Sequence, residues 1–424
     1  IDAAPADTAL TDATPTDAAP GDVGDIDAAA PGIDGDADSD PDPATFVEGP
    51  ARYAADRLHS PITPFVAAHL SEIASTGAWQ DDVFMKVGDS ITVDANFLNC
   101  LGSGAVDLTG REELGDTLAY FRAGDAAGST PFDRDTEAAR IGRTAWWVQD
   151  GAPSPLETEI AAISPRIAVV MYGTNDMGWF GDDIAHTMRW YTGYYLSLVD
   201  GLIARGIIPI LTSIPPRLDD AFLGRHVSTV NGIVRGIAET RQIPFVDLHL
   251  ALSGIPGYGL WPDGVHPDAG GGGACDFGAS GLEHGQNQRN LLTLEALDRI
   301  HDTVFATGEA PDPAEPAREG DGSFADPFVV GALPFSDWRD TREASESRID
   351  IYPGCIGGQD ESGREFYYRI TLDAPTALRG LVLTESDAVD IDLHLISTGG
   401  TGDDCIGRAH TLLQGEVGPG TFLV

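Results

Sequence analysis

Ser90 closes the run Val83-Phe-Met-Lys-Val-Gly-Asp-Ser90, in which an apolar stretch ends abruptly in Gly88-Asp89-Ser90. A serine hydroxyl attacks a carbonyl only when a base takes its proton, a further group orients that base, and donors receive the developing oxyanion. Residues of each type follow in the chain: Gly142, then Gly173-Thr174-Asn175-Asp176, then Asp263-Gly264-Val265-His266. This order is workable for ester hydrolysis through an acyl-serine. The chain has no Gly-x-Ser-x-Gly elbow and no His and carboxylate cluster at metal-ligand spacing near these blocks, so a classical α/β-hydrolase and a metalloesterase are both disfavoured. No metal and no cofactor is expected.

These residues need a scaffold that brings distant segments to one edge. The short apolar runs Val83–Val87, Ile167–Met171, Ile207–Leu211 and Pro244–Val246, bounded by turn residues, read as buried parallel strands. Between and after them, His186–Ala204, Leu218–Arg241 and Asn290–Val304 carry apolar residues at three- and four-residue spacing and read as helices. Alternation of this kind predicts an α/β fold, a parallel sheet between helical layers, over residues 46–307. Such sheets present ligands at the carboxyl ends of their strands, where Ser90 and Asn175 fall. Asp89 is expected to tie down its loop by accepting backbone N–H groups. Lys86, the only lysine, is expected to serve packing or a buried pair in the strand body.

The four blocks, in this order, resemble those of the SGNH (GDSL-type) hydrolase superfamily over roughly residues 80–306, and Leu211-Thr-Ser-Ile-Pro-Pro-Arg217 resembles a further stretch of that family. The resemblance implies a flavodoxin-like α/β/α sandwich and a carboxylic ester hydrolase. It implies that Ser90 is the nucleophile, His266 the general base, and Asp263 the group that orients the imidazole. Gly264 permits the tight turn that would bring Asp263 and His266 to one side. The oxyanion hole would be the N–H of Ser90, the N–H of a glycine and the side-chain amide of Asn175. Gly142 is the first choice of glycine, with Gly124 and Gly128 as alternatives. Trp146 and Trp147 are expected to pack as core. Trp179, Phe180 and Trp261 flank the Asn175 and Asp263 loops and are expected to line the cleft mouth.

Composition frames this domain. A net charge of −42 argues against nucleic acid and anionic membranes as partners, and no apolar run is long enough to span a bilayer. Residues 1–45 carry aspartates at five-residue intervals among Ala, Pro and Thr, the composition of a disordered acidic tether. The alternating aspartates Asp34–Asp42 lack the terminal glutamate of an EF-hand loop and read as solvated linker. The start at Ile1 fits a processed form. Residues 308–322 read as a linker, and residues 323–424 switch to a two-residue period, as in Phe366, Tyr368, Ile370, Leu372 and in Val389, Ile391, Leu393, Leu395. That predicts a small β-sandwich, with Gly418–Val424 as a turn entering a strand and a last strand expected to be missing. Val389-Asp-Ile-Asp-Leu-His-Leu395 and the paired cysteines resemble the pre-peptidase C-terminal-type modules of secreted bacterial enzymes. This implies surface or polymer contact, with calcium at Asp390 or Asp392 set against plain solvation of a strand face. The cysteines are expected to pair as Cys100–Cys275 and Cys355–Cys405 in an exported or cell-surface protein, the alternative being four buried thiols. The expected substrate is a short-chain or carbohydrate-linked O-acyl ester, set against a lipid or aryl ester or a non-catalytic surface binder.

Overall fold

The computed structural model describes residues 49–424 except 105, 315–318, 357, 385–388 and 398. The acidic tether and the Asp34–Asp42 run lie outside the described residues.

Four strands form a parallel sheet in the order β1 (Gln80–Gly88), β2 (Pro165–Met171), β3 (Ile208–Thr212), β4 (Phe245–Val246). The strand bodies are buried and, Lys86 and Arg166 apart, largely apolar, as a sheet covered on both faces requires. Helices α1 (Pro64–Ala74), α2 (Leu114–Ala123), α3 (Pro155–Ile163), α4 (Ile184–Ala204), α5 (Val227–Arg241), α6 (Leu248–Ser253) and α7 (Gly285–Ile300) complete the domain. Because the strands follow one another in order, right-handed crossovers through α3, α4 and α5 all fall on one face. The other face is covered by α1, α2 and α7, with α2 packed on α7. Beyond β1 the segment Ala138–Arg140 runs alongside: Gly88 N–H donates to Ala138 O at 3.3 Å and Arg140 N–H to Gly88 O at 3.1 Å.

Two helix boundaries differ from the sequence reading. The stretch Leu218–Arg241 is not one helix but a short turn, Ala221–Gly224, and then α5, broken at Arg225–His226. The last helix begins at Gly285 rather than Asn290 and passes into a π-helical turn at His301–Ala306. Its first turns are polar yet buried, which hides them from an apolar-period search. Asn290 accepts from Leu98 N–H at 2.9 Å and donates to Asn96 O and Ala274 O, both at 2.8 Å. Arg289 donates to Ile91 O at 2.6 Å and Thr92 Oγ1 at 2.9 Å, its guanidinium 3.5 Å from the Phe97 ring centroid. The polar start of α7 therefore holds the loop that leaves Ser90. Lys86 is buried; its ammonium donates to Phe132 O at 2.9 Å and Asn99 Oδ1 at 3.2 Å, and burial lowers its pKa to about 8.

Both disulfides form, Cys100–Cys275 and Cys355–Cys405. The first ties the loop after Ser90 to the segment after His266. In the C-terminal region a five-stranded sheet, β5 (Phe328–Val330), β6 (Tyr368–Leu372), β11 (Gly420–Leu423), β8 (Leu393–Ile396), β9 (Cys405–Ala409), faces the pair β7 (Thr376–Leu381) and β10 (Leu412–Val417). Ile370, Leu372, Leu378, Leu395, Leu413, Val417 and Phe422 fill the space between them. The terminal run is itself a strand paired on both sides. The strand read from Val389 starts only at Leu393, and Asp390 and Asp392 precede it. Asp392 accepts from Arg408 at 2.8 Å and lies 2.6 Å from His410, while buried His394 stacks on Tyr352 at 3.7 Å. Asp392 is thus drawn into ion pairs, whereas Asp390 stays exposed to solvent ahead of the strand. Asp312, placed in the linker by sequence, accepts from Ile62 N–H at 2.7 Å and Arg299 at 2.5 Å. Among the described residues no helix is long and apolar enough to cross a membrane.

Candidate active site

β1 and β2 end side by side, and the turns that leave them carry Ser90 and Asn175 to the same edge. Gly173 turns the chain away from β2 at φ +133°, where a Cβ would lie 2.5 Å from Val230 Cγ1, so no larger residue fits. Asp89 is fully buried between the two turns. It accepts from Ile91 N–H at 3.0 Å and from Asn175 Nδ2 at 3.2 Å, which anchors the serine loop and links it to the asparagine. Burial raises its pKa to about 6, against the lowering effect of the Ile91 hydrogen bond and of the Arg289 charge. Asp176, also fully buried, accepts from Ala145 N–H at 2.9 Å and Gly173 N–H at 3.0 Å; burial raises its pKa to about 7.

His266 arrives from the opposite side on a small hairpin. Leu260 pairs with Pro267, Trp261 N–H donates to His266 O at 2.8 Å, and Gly264 N–H donates to Trp261 O at 2.9 Å. Within the turn Asp263 accepts from Val265 N–H at 3.0 Å and His266 N–H at 3.1 Å. His266 Nδ1 lies 2.7 Å from Asp263 Oδ2, and His266 Nε2 lies 2.9 Å from Ser90 Oγ. Partial desolvation pushes the Asp263 carboxyl up, but its hydrogen bonds from Val265 and His266 outweigh this and hold it below the usual carboxylate range. Asp263 and His266 are three residues apart, so the turn alone makes their contact; only the tertiary fold brings Ser90 to it.

The segment beside β1 supplies the third wall. Gly142 has φ +72°, and Asn175 Nδ2 donates to Arg143 O at 3.1 Å. Among the described residues the N–H groups of Ser90 and Gly142 have no acceptor. The two alternative glycines are committed elsewhere. Gly124 N–H donates to Phe121 O, and a Cβ there would meet Asp82 O at the amino half of β1, away from Ser90; Gly128 N–H donates to Asp125 Oδ1 at 2.6 Å.

Two exposed indoles flank this edge, Trp179 at 49% and Trp261 at 44% exposure. Trp179 stacks on Trp190, centroids 5.3 Å apart and nearly coplanar, and Trp146 lies 6.2 Å from it. Trp146 therefore belongs to this aromatic surface rather than to the core, while half-buried Trp147 packs against the core beneath Arg140 and Arg143. Phe180 is turned onto His186, 3.9 Å away. Sequence reasoning left Arg217 without a role. It donates to Thr174 O at 2.6 Å and pairs with Asp219, while Leu218 N–H donates to Gly264 O at 2.8 Å, so this stretch splices the Asn175 turn to the hairpin. Its place in the Leu211–Arg217 block was the available signal.

Residues 87–272 match the GDSL-like lipase/acylhydrolase family. Among solved structures the chain is similar to a GDSL-like lipase from Bacteroides thetaiotaomicron VPI-5482, at 17% identity over 55% of this chain and 98% of that one, TM-score 0.34. It is similar also to an acetylxylan esterase from Geobacillus stearothermophilus, at 18% identity over 53% of this chain and 96% of that one, TM-score 0.34. No curated protein matches the sequence. With its parallel sheet and the family match over its central part, the chain carries a GDSL-like domain of the SGNH superfamily and is a carboxylic ester hydrolase.

Proposed function

We propose that the protein is a secreted serine esterase that removes short acyl groups, acetyl foremost, from carbohydrate esters. The observation that carries the mechanism is the continuous contact Ser90 Oγ, His266 Nε2, His266 Nδ1, Asp263 Oδ2 beside two unengaged N–H groups. In this reading Ser90 attacks the ester carbonyl while His266 takes its proton. The tetrahedral oxyanion is met by the N–H groups of Ser90 and Gly142 and by the Asn175 amide. His266 then gives its proton to the leaving alkoxide, and the acyl group stays on Ser90. Water repeats the sequence: it loses a proton to His266 and releases the acid, and the serine recovers its proton. Asp263 holds the imidazole tautomer and stabilises the imidazolium.

The indoles of Trp179 and Trp261 support the carbohydrate assignment, since flat aromatic faces beside a reacting centre suit the apolar faces of sugar rings. Two disulfides support an oxidising, extracytoplasmic setting. The test is hydrolysis of p-nitrophenyl acetate and of acetylated xylo-oligosaccharides, with fluorophosphonate labelling. Ser90→Ala is expected to lose both turnover and labelling. A folded variant as active as the parent overturns the mechanism, and a rate that climbs with acyl-chain length moves the substrate to lipid esters.

A further inference from the structure

The break at Arg225–His226 creates a helix start in an unusual electrostatic setting. α5 opens with no acidic residue in its first turn, and among the described residues the N–H groups of Val227 and Ser228 have no acceptor. The N-cap is His226, 3% exposed, whose Nδ1 is buried without a hydrogen-bond partner. From the C-terminal module, Arg379 on β7 reaches across and donates to Ser228 Oγ at 3.5 Å, while its Nε is buried and unbonded. Arg225 adds a second cationic side chain, exposed and 4.8 Å from the Phe222 ring centroid. Among the described residues neither Arg225 nor Arg379 has an ion-pair partner. Burial, then Arg379, then Arg225 lower the His226 pKa, and burial followed by Arg225 lowers that of Arg379; no carboxylate enters either balance.

This is anomalous in a chain with 67 acidic and 25 basic residues. Carboxylates are the commonest charges available, yet two arginines and a histidine gather at the positive end of a helix dipole, where like charge repels. An anion placed there would turn each repulsion into attraction and meet the free N–H groups as well. We propose that the start of α5 and Arg379 form a binding site for an oxyanion (phosphate, sulfate or the carboxylate of an acidic sugar) that fastens the β-module to the hydrolase domain. Arg225, the His226 imidazole, the first-turn N–H groups, Ser228 and Arg379 supply the donors. A cleft of about 470 Å³ lined by Arg217, Leu218, Arg225, His249 and Tyr258 adjoins the site at Arg225, and its Leu218 N–H donates to Gly264 O of the hairpin. An acidic sugar lying in this cleft would meet Arg225 with its carboxylate, as a free ion would. The proposal does not depend on the esterase reading, because binding is its readout.

The experiment is thermal unfolding of the full chain titrated with sodium phosphate, sodium sulfate or sodium glucuronate, at ionic strength held constant with sodium chloride. A saturable rise in Tm of about 2–4 °C is expected with at least one of the three. Arg225→Met and Arg379→Met are expected to remove the rise and to leave p-nitrophenyl acetate turnover unchanged. Arg225 is exposed, so its variant stays informative even if the other folds poorly. A rise with glucuronate alone assigns the site to an acidic sugar, and one with phosphate or sulfate alone assigns it to a free ion. No rise with any of them, or an equal rise in both variants, overturns the proposal.

Discussion

Replacing Asn175 with alanine removes the one side-chain donor assigned to the oxyanion. Loss of such a donor costs about 2.7–4 kcal/mol of transition-state stabilisation, or roughly 100- to 900-fold in rate. The structure points to the lower end. In the free enzyme the Asn175 amide already donates to Asp89 Oδ2 at 3.2 Å and Arg143 O at 3.1 Å, so a bond to the oxyanion must be shared with or taken from one of these. Both are long, which makes the exchange inexpensive but not free. About a 100-fold fall in kcat is therefore expected, with KM for p-nitrophenyl acetate nearly unchanged, because the interaction is made only in the transition state. Steady-state kinetics measure both constants, and a melting curve establishes that the variant is folded. A loss below about 3-fold, or one carried wholly by KM, would refute the assignment of Asn175.

Trp179→Ala is expected to raise KM for acetylated xylo-oligosaccharides several-fold while sparing p-nitrophenyl acetate; an equal effect on both substrates would exclude a sugar platform. Converting Cys100 and Cys275 together to serine opens a 175-residue closure and should cost about 2–5 kcal/mol of stability, read as a lower denaturant midpoint. The pH dependence of stability follows from Asp89 and Asp176, whose pKa values burial raises to about 6 and about 7. An acid with a raised folded pKa binds protons more tightly when folded, so stability from these two groups falls as pH rises from about 4 to about 7. Urea melts in about 1 M salt, where surface repulsion is screened within about 3 Å, should show that fall; a midpoint that climbs across the window contradicts it.

The sequence determined the chemistry and the strands by itself. A run such as Val83–Val87 between turn residues has no stable place except a covered sheet, and Asp263 and His266 meet through a local turn that Gly264 allows. Both are short-range constraints, legible from neighbours alone. Tertiary structure separates the three glycines, because it bonds the N–H groups of Gly124 and Gly128 to Phe121 O and Asp125 Oδ1 while that of Gly142 has no acceptor among the described residues. It also decided the start of α7, whose buried Asn290 and Arg289 look like surface residues until the loop after Ser90 supplies their partners. The helix break at Arg225–His226 was hidden for the same reason. Local spacing reports what a segment can form, whereas polar partners and charge neighbours come from segments far away in the chain. The contact of Ser90 with His266 spans 176 residues and exists only because the sheet edge and the hairpin meet.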